Sequence, residues 1–196
     1  AGNQFLVYED DPGYKFSSWD LAYHFEEYCY PVMQQEPWRC VSNGPVCAVF
    51  VSSWQVLDST IEQEMWLFKH SARIDFKTKV WWNNKRKLLK VAFPLKIRTR
   101  RATYDLPFAN IERPTHRNTS WDQAKFEVSG HKWADVSEGN YGVALLNDCK
   151  YGYDVKDNIM RLSLLRSPVR PDGQSDQGFH QFTYALLPHA GNWIEG

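Results

Sequence analysis

The chain has 196 residues, and its 23 Lys and Arg balance its 23 Asp and Glu to a formal net charge of zero. That balance argues against a dedicated nucleic-acid binder, which carries a basic excess, and against a polybasic membrane anchor or an acidic disordered tail. No run of about 18 apolar residues exists to span a bilayer, and no signal-peptide pattern opens the chain, so a soluble globular domain with a real core is expected.

Aromatic residues make up 15% of the chain, with nine Trp, ten Tyr and eleven Phe. That enrichment suits packed β-structure, and it also suits sugar-binding faces, because a ring stacks on the apolar face of a pyranose. The four cysteines (Cys29, Cys40, Cys47, Cys149) have neither CxxC spacing nor the density of a disulfide scaffold. Free, mostly buried thiols in a reducing compartment are the expectation.

The first residues, Ala1-Gly2-Asn3-Gln4-Phe5, lack an initiator Met, and Phe5–Tyr8 already reads as a strand. Two expectations fit: a processed or tagged N-terminus, or a domain cut from a longer polypeptide. Ser18-Trp19-Asp20 reads as a cap for a short helix through Tyr28, with Leu21, Phe25 and Tyr28 on one face, although the stretch also fits an aromatic strand. Period-two alternation then takes over. Ile74, Phe76, Thr78 and Val80 alternate with polar residues, and so do Met160, Leu162 and Leu164. Val91, Phe93, Leu95 and Ile97 alternate with Ala92, Pro94, Lys96 and Arg98, where Pro94 demands an edge or a bulge. Gly142–Leu146 is a short, fully apolar run, and Phe182, Tyr184 and Leu186 form a last alternating strand. Turn signals lie at Asn83-Asn84, Ser137–Asn140, Pro171-Asp172-Gly173 and Asp176-Gln177-Gly178. Many short strands without a βα alternation predict an all-β, antiparallel sandwich with few or no helices, in a single domain spanning residues 1–196.

Nucleotide-binding, serine-hydrolase and zinc-protease motifs are all missing, and the six His are not spaced as zinc ligands. The basic runs Lys85–Lys87 and Arg98–Arg101 read as solvated turns and strand faces. Asn118-Thr119-Ser120 has the sequon pattern, which matters only in a secreted chain. Two polar-aromatic clusters stand out. The first runs from Arg113 to Asp122 and includes His116, Asn118, Trp121 and Asp122; the second runs from Leu145 to Tyr153 and includes Asn147, Asp148, Lys150 and Tyr151. Each sets amide, carboxylate, cationic and aromatic groups together at predicted strand ends. That inventory can hold sugar hydroxyls, and it can equally pin loops between strands.

These clusters carry a resemblance. The stretch RPTHRNTSWDQAKFEVSGHKWADVSEGNYGVALLNDCKYGYDV (residues 113–155) and its continuation MRLSLLRSPVRPDGQSDQGFHQFTYALLPHAGNW (160–193) resemble the C-terminal β region of glycoside hydrolase family 38 α-mannosidases of the cytosolic and vacuolar type. The opening YEDDPGYKFSSWDLAYHFEEY (8–28) is similar to the segment leading into that region, with Phe16–Asp20 standing where the family commonly shows Trp-Asp-Ala-Trp-Asp. Residues 30–70 match loosely.

The resemblance implies a galactose-mutarotase-like super-sandwich that follows a catalytic α/β domain and a helical bundle. It implies a retaining exo-glycosidase with an Asp nucleophile, a second Asp as acid/base and a zinc ion held by Asp and His. No segment here matches the catalytic domain's motifs. The expectation is therefore the C-terminal domain of an α-mannosidase, with no catalytic residue, metal ligand or cofactor in this chain and with zinc only in the full-length enzyme. Its expected partners are the catalytic and helical domains of the same polypeptide and a mannose-containing oligosaccharide, with no nucleic acid or membrane; an oligomer is left open. His116, Asn118, Trp121, Asp122, Asn147, Asp148, Lys150 and Tyr151 are the candidates for the rim of the sugar site. The cytoplasm is the expected location, with a vacuolar or lysosome-like compartment as the alternative. The rival reading is a stand-alone carbohydrate-binding module, which needs an exposed aromatic platform. A small complete enzyme would need a His–carboxylate pair in a β-cleft, and nothing in the spacing selects one.

Overall fold

The computed structural model describes residues 2–11, 13 and 17–195; Phe16, part of the predicted opening motif, lies outside them. Fifteen strands run along the chain: β1 Gln4–Glu9, β2 Cys29–Tyr30, β3 Met33–Asn43, β4 Cys47–Val56, β5 Ser59–Phe68, β6 Ile74–Trp82, β7 Lys87–Pro94, β8 Arg101–Leu106, β9 Ala109–Pro114, β10 Val128–Ser129, β11 Trp133–Glu138, β12 Tyr141–Asn147, β13 Gly152–Lys156, β14 Ile159–Arg166 and β15 Gly178–Ala190. Among the described residues the one α-helical turn is α1, Ser120–Gln123. The strands form two antiparallel sheets. Six are ordered β10-β13-β14-β7-β1-β2, and nine are ordered β3-β4-β5-β6-β15-β12-β11-β8-β9.

The alternation read from the sequence becomes the inner face of this sandwich. Phe76, Val80, Phe182, Tyr184, Val143, Leu145, Met160 and Leu162 are all buried in one apolar cluster contributed by both sheets. Aromatic pairs bridge the layers: Phe76 on β6 lies 5.9 Å from Phe93 on β7, Phe5 on β1 lies 4.9 Å from Trp54 on β4, and Tyr104 on β8 lies 6.0 Å from Tyr153 on β13. Such contacts hold the sheets at one spacing and add to the area they bury. The turns fall where signalled: Gly139, at φ 57°, takes the left-handed position between β11 and β12.

Three local expectations are corrected. The 18–28 stretch is not an α-helix; it holds a 3-10 turn at Phe25–Glu27. Leu21 and Phe25 are buried there while Tyr28 is exposed, so the three do not share one face. The strand expected to run on to Ile97 stops at Pro94. Leu95 N–H donates to Asn158 toward β14. By alternation Pro94 faces the β1 side, where pairing has already ended at Gln4–Ala92. The cysteines are free as expected but not mostly buried: Cys29, Cys40 and Cys149 are exposed and Cys47 is half-buried.

Residues 33–68 give no strand expectation from sequence, yet they build one flank of the large sheet. β3 is an edge strand exposed nearly throughout, with register shifts on both sides of its Pro37, devices that blunt an edge. On β4 and β5 the inward positions Ser52 and Gln63 are polar and buried, which interrupts the apolar alternation. Gln63 is satisfied there by donating to Thr78 at 2.8 Å and to Tyr184 Oη at 2.7 Å.

The outer face of the six-stranded sheet is covered as well. Tyr8, Leu21, Phe25 and Leu88 form a second small cluster, with Leu6 and Phe126 packed against it. The 17–28 segment and the loop around α1 therefore roof β1 and β7, and Lys90 on β7 loses all contact with solvent.

Candidate functional site

The first predicted cluster folds around α1. Thr119 Oγ1 accepts the Asp122 N–H at 3.1 Å, and the Asp122 carboxylate accepts the Thr119 N–H at 3.3 Å, a reciprocal capping box for the four-residue helix. Asp122 Oδ2 also stands 3.5 Å from His116 Nδ1. His116 and Asn118 line an open groove with Arg98, Arg100 and Asn158, while Trp121 projects outward at 79% exposure.

The second cluster is the β12–β13 turn. Asn147 donates to the His131 carbonyl at 3.0 Å and to Tyr153 Oη at 2.5 Å, and its Oδ1 accepts the N–H groups of Cys149 at 2.9 Å and of Lys150. That exhausts its two donors and both acceptor sites. Asp148 accepts the Thr183 N–H at 3.0 Å. Lys150 lies 4.3 Å from the centre of the Phe182 ring, and burial holds its ammonium below the usual lysine range. Tyr151 is 62% exposed and packs edge-on to His131. The eight candidates are thus divided: His116 and Asn118 line one groove and Tyr151 another.

Two arrangements carry no sequence signal of their own. The first is a charge network on the outer face of the small sheet. Lys90 Nζ donates to Asp154 at 2.5 Å and to Glu127; Arg161 pairs with Asp154 at 2.6 Å; Arg117 pairs with Glu26 at 2.9 Å. Burial works against the Asp154 carboxylate, but Lys90 and Arg161 outweigh it and hold its pKa below the ordinary value. Burial wins at Glu127, whose carboxyl is pushed up despite Lys90. Burial would lower Lys90, yet Asp154 and Glu127 keep it raised.

The second arrangement is a buried pair in the large sheet. His189 Nε2 lies 2.7 Å from Asp135 Oδ2, and Ser137 Oγ donates to Asp135 Oδ1 at 2.5 Å. Their side chains are 7% and 2% exposed for His189 and Asp135. A side chain at Gly142 would sit 2.3 Å from the His189 ring, so glycine is what lets these groups meet. The carboxylate lies between the hydroxyl and the imidazole, so the imidazole is not placed to take the Ser137 proton. Among the described residues no three His, Cys, Asp or Glu side chains gather as a metal site.

Residues 1–174 match the model of the glycosyl hydrolases family 38 C-terminal domain. The chain belongs to that family. It is 43% identical to mouse alpha-mannosidase 2C1 over 99% of its own length and 44% identical to the human counterpart over 98%. It is 42% identical to an alpha-mannosidase of Saccharomyces cerevisiae over 97%. It spans only 18–19% of the length of these relatives. Among solved structures, an alpha-mannosidase from Enterococcus faecalis superposes on 96% of this chain with a TM-score of 0.75 at 16% identity, the matched part being 26% of that molecule. The family 38 C-terminal domain is the all-β, two-sheet sandwich described above.

Proposed function

We propose that this family 38 domain is the C-terminal β domain of an α-mannosidase that removes terminal α-mannose from oligosaccharides, and that it supports a catalytic centre supplied elsewhere in the polypeptide. The observation that carries this reading is the 42–44% identity to α-mannosidases over almost the whole chain, against under a fifth of their length. The zinc site implied by the family does not fit here. The two His–carboxylate pairs, His116–Asp122 at 3.5 Å and His189–Asp135 at 2.7 Å, each lack a third ligand among the described residues. In this reading zinc and both catalytic Asp, as the family resemblance implies them, belong to the catalytic domain.

What the chain offers its partners is surface. Tyr23, Tyr28 and Trp121 are 82%, 63% and 79% exposed. Large exposed rings gathered on a few segments suit contact with another domain. The loops bearing His116, Asn118, Trp121 and Asp122, and Asn147, Asp148, Lys150 and Tyr151, are assigned to the rim of the sugar site. Cytoplasmic residence is the reading for location, supported by four thiols without a disulfide, three of them exposed; a vacuolar setting is the alternative.

The test is hydrolysis of an aryl α-mannoside with zinc or cobalt and an EDTA control. The 196-residue chain alone is expected to give no turnover, and the polypeptide containing the catalytic domain is expected to turn over. Metal-dependent turnover that copurifies with the short chain would overturn the reading.

A further inference from the structure

We propose that the groove between the 19–21 segment, the 124–129 loop and strand β13 binds a neutral hexose, stacked on Tyr151 and hydrogen-bonded to Glu127. Its lining includes Trp19, Phe126, Glu127, Tyr151, Gly152 and Ser163. A pyranose needs two things from a protein: an aromatic face for its C–H surface, and fixed acceptors and donors for its hydroxyls. Tyr151 and Trp19 supply rings at the exposed edge, 62% and 85% accessible. Glu127 supplies the acceptor. Its side chain is 18% exposed, its Oε1 accepts the Ser163 hydroxyl at 2.5 Å, and its Oε2 accepts Lys90. Each carboxylate oxygen has about two acceptor directions, so both oxygens keep capacity for a ligand hydroxyl.

The acceptor is already paired with a cation. Beneath the groove Lys90 pairs with Glu127 and Asp154, and Arg161 pairs with Asp154 and lies 3.8 Å from Glu26, so Glu127 is not an unpaired carboxylate waiting for a cation. The arginine of the lining is largely engaged. Arg166 forks onto Asp10 at 2.6 and 3.2 Å and donates to the carbonyls of Ser18 at 3.3 Å, Asp20 at 2.5 Å and Ser17. Most of its donors hold the 17–20 segment, which presents Trp19. Gly152 makes the approach feasible, because a Cβ there would lie 2.4 Å from Glu127 Oε1 and displace the carboxylate.

The class of ligand rests on the groove; its identity as mannose rests on the proposed function. Amide chemical shifts of the protein would be followed while methyl α-D-mannopyranoside is added, with methyl β-D-galactopyranoside in parallel. Saturable shifts are expected at residues 126–129, 151–152 and 163. Tyr151→Ala, at a solvent-exposed position, should weaken binding at least fivefold, and Glu127→Gln, of equal size, should do the same. If neither sugar moves these amides, or if Tyr151→Ala titrates like the wild type, the site is overturned. If only the galactoside moves them, the hexose site stands and its link to mannose falls. Neither result alters the turnover test above, so the two readings fail separately.

Discussion

Lys90→Met is the sharpest perturbation the structure offers. Lys90 is fully buried and is the cation shared by Asp154 and Glu127. Methionine fills most of its volume, so the change is chiefly electrostatic. Removing one partner of a buried ion pair leaves uncompensated charge and costs about 3–5 kcal/mol. Arg161 stays 2.6 Å from Asp154 and Glu127 keeps some solvent access, which places the expected loss at about 3 kcal/mol, the lower end of that range. For a chain of this size each kcal/mol moves Tm by about 2–4 °C, so a fall of roughly 6–12 °C is expected.

The pH dependence gives the loss a signature. In the wild type Asp154 has a folded pKa below its ordinary 3.8, so its contribution is present above that value and is lost as pH falls through the lowered one. Without Lys90 the folded pKa of Asp154 rises, and that of Glu127, already raised by burial, rises further. A carboxyl with a raised folded pKa binds protons preferentially in the folded state, so the deficit should shrink from pH 7 toward pH 5. Urea unfolding at both values reads this directly. The double variant Lys90→Met, Glu127→Gln, which removes Lys90 together with one of its carboxylates and leaves Asp154 paired with Arg161, should recover at least half the loss. A deficit under about 1 kcal/mol, the range of exposed pairs, or one that grows on acidification, would refute the account.

Three further outcomes follow from named contacts. Asn147→Ala removes four hydrogen bonds of the β12–β13 turn, and at about 0.5–1.5 kcal/mol for each bond a loss of about 2–6 kcal/mol is expected in denaturant titrations; Asn147→Asp, which keeps the acceptors, should lose less. Gly142→Ala drives a methyl against His189 and Ser137 and should cost about 1–3 kcal/mol as overpacking, with equal stability to wild type counting against the close approach. Arg166→Lys gives up the fork onto Asp10 and the carbonyls of the 17–20 segment, so limited proteolysis within that segment should speed up several-fold while cleavage elsewhere is unchanged.

The strands of the core were legible because each has one wet and one dry face, as β6 shows with Phe76, Thr78 and Val80 inward and Lys77 and Lys79 outward. β3 was not, since it is exposed on both faces and has no burial to print a period into its residues. The capping pattern Thr119-Ser120-Trp121-Asp122 and the Asn147 turn were visible as polar clusters. That Asn147 turns its polar atoms inward onto the β12–β13 turn depends on partners as distant in sequence as His131.

By itself the sequence determined the family, the all-β class and most inward-facing positions, because alternation and turn residues act over a few neighbours. Which strands lie side by side, and so what each outward residue meets, was decided only in three dimensions. Lys90 shows why: in its strand it occupies an outward position that reads as solvated. The 17–28 segment and the α1 loop fold over it from far along the chain and bury its charge, and Asp154 and Glu127 must then neutralise it. The same covering sets Glu127, Tyr151 and Trp19 around one groove, a juxtaposition of residues more than a hundred positions apart that no local pattern encodes.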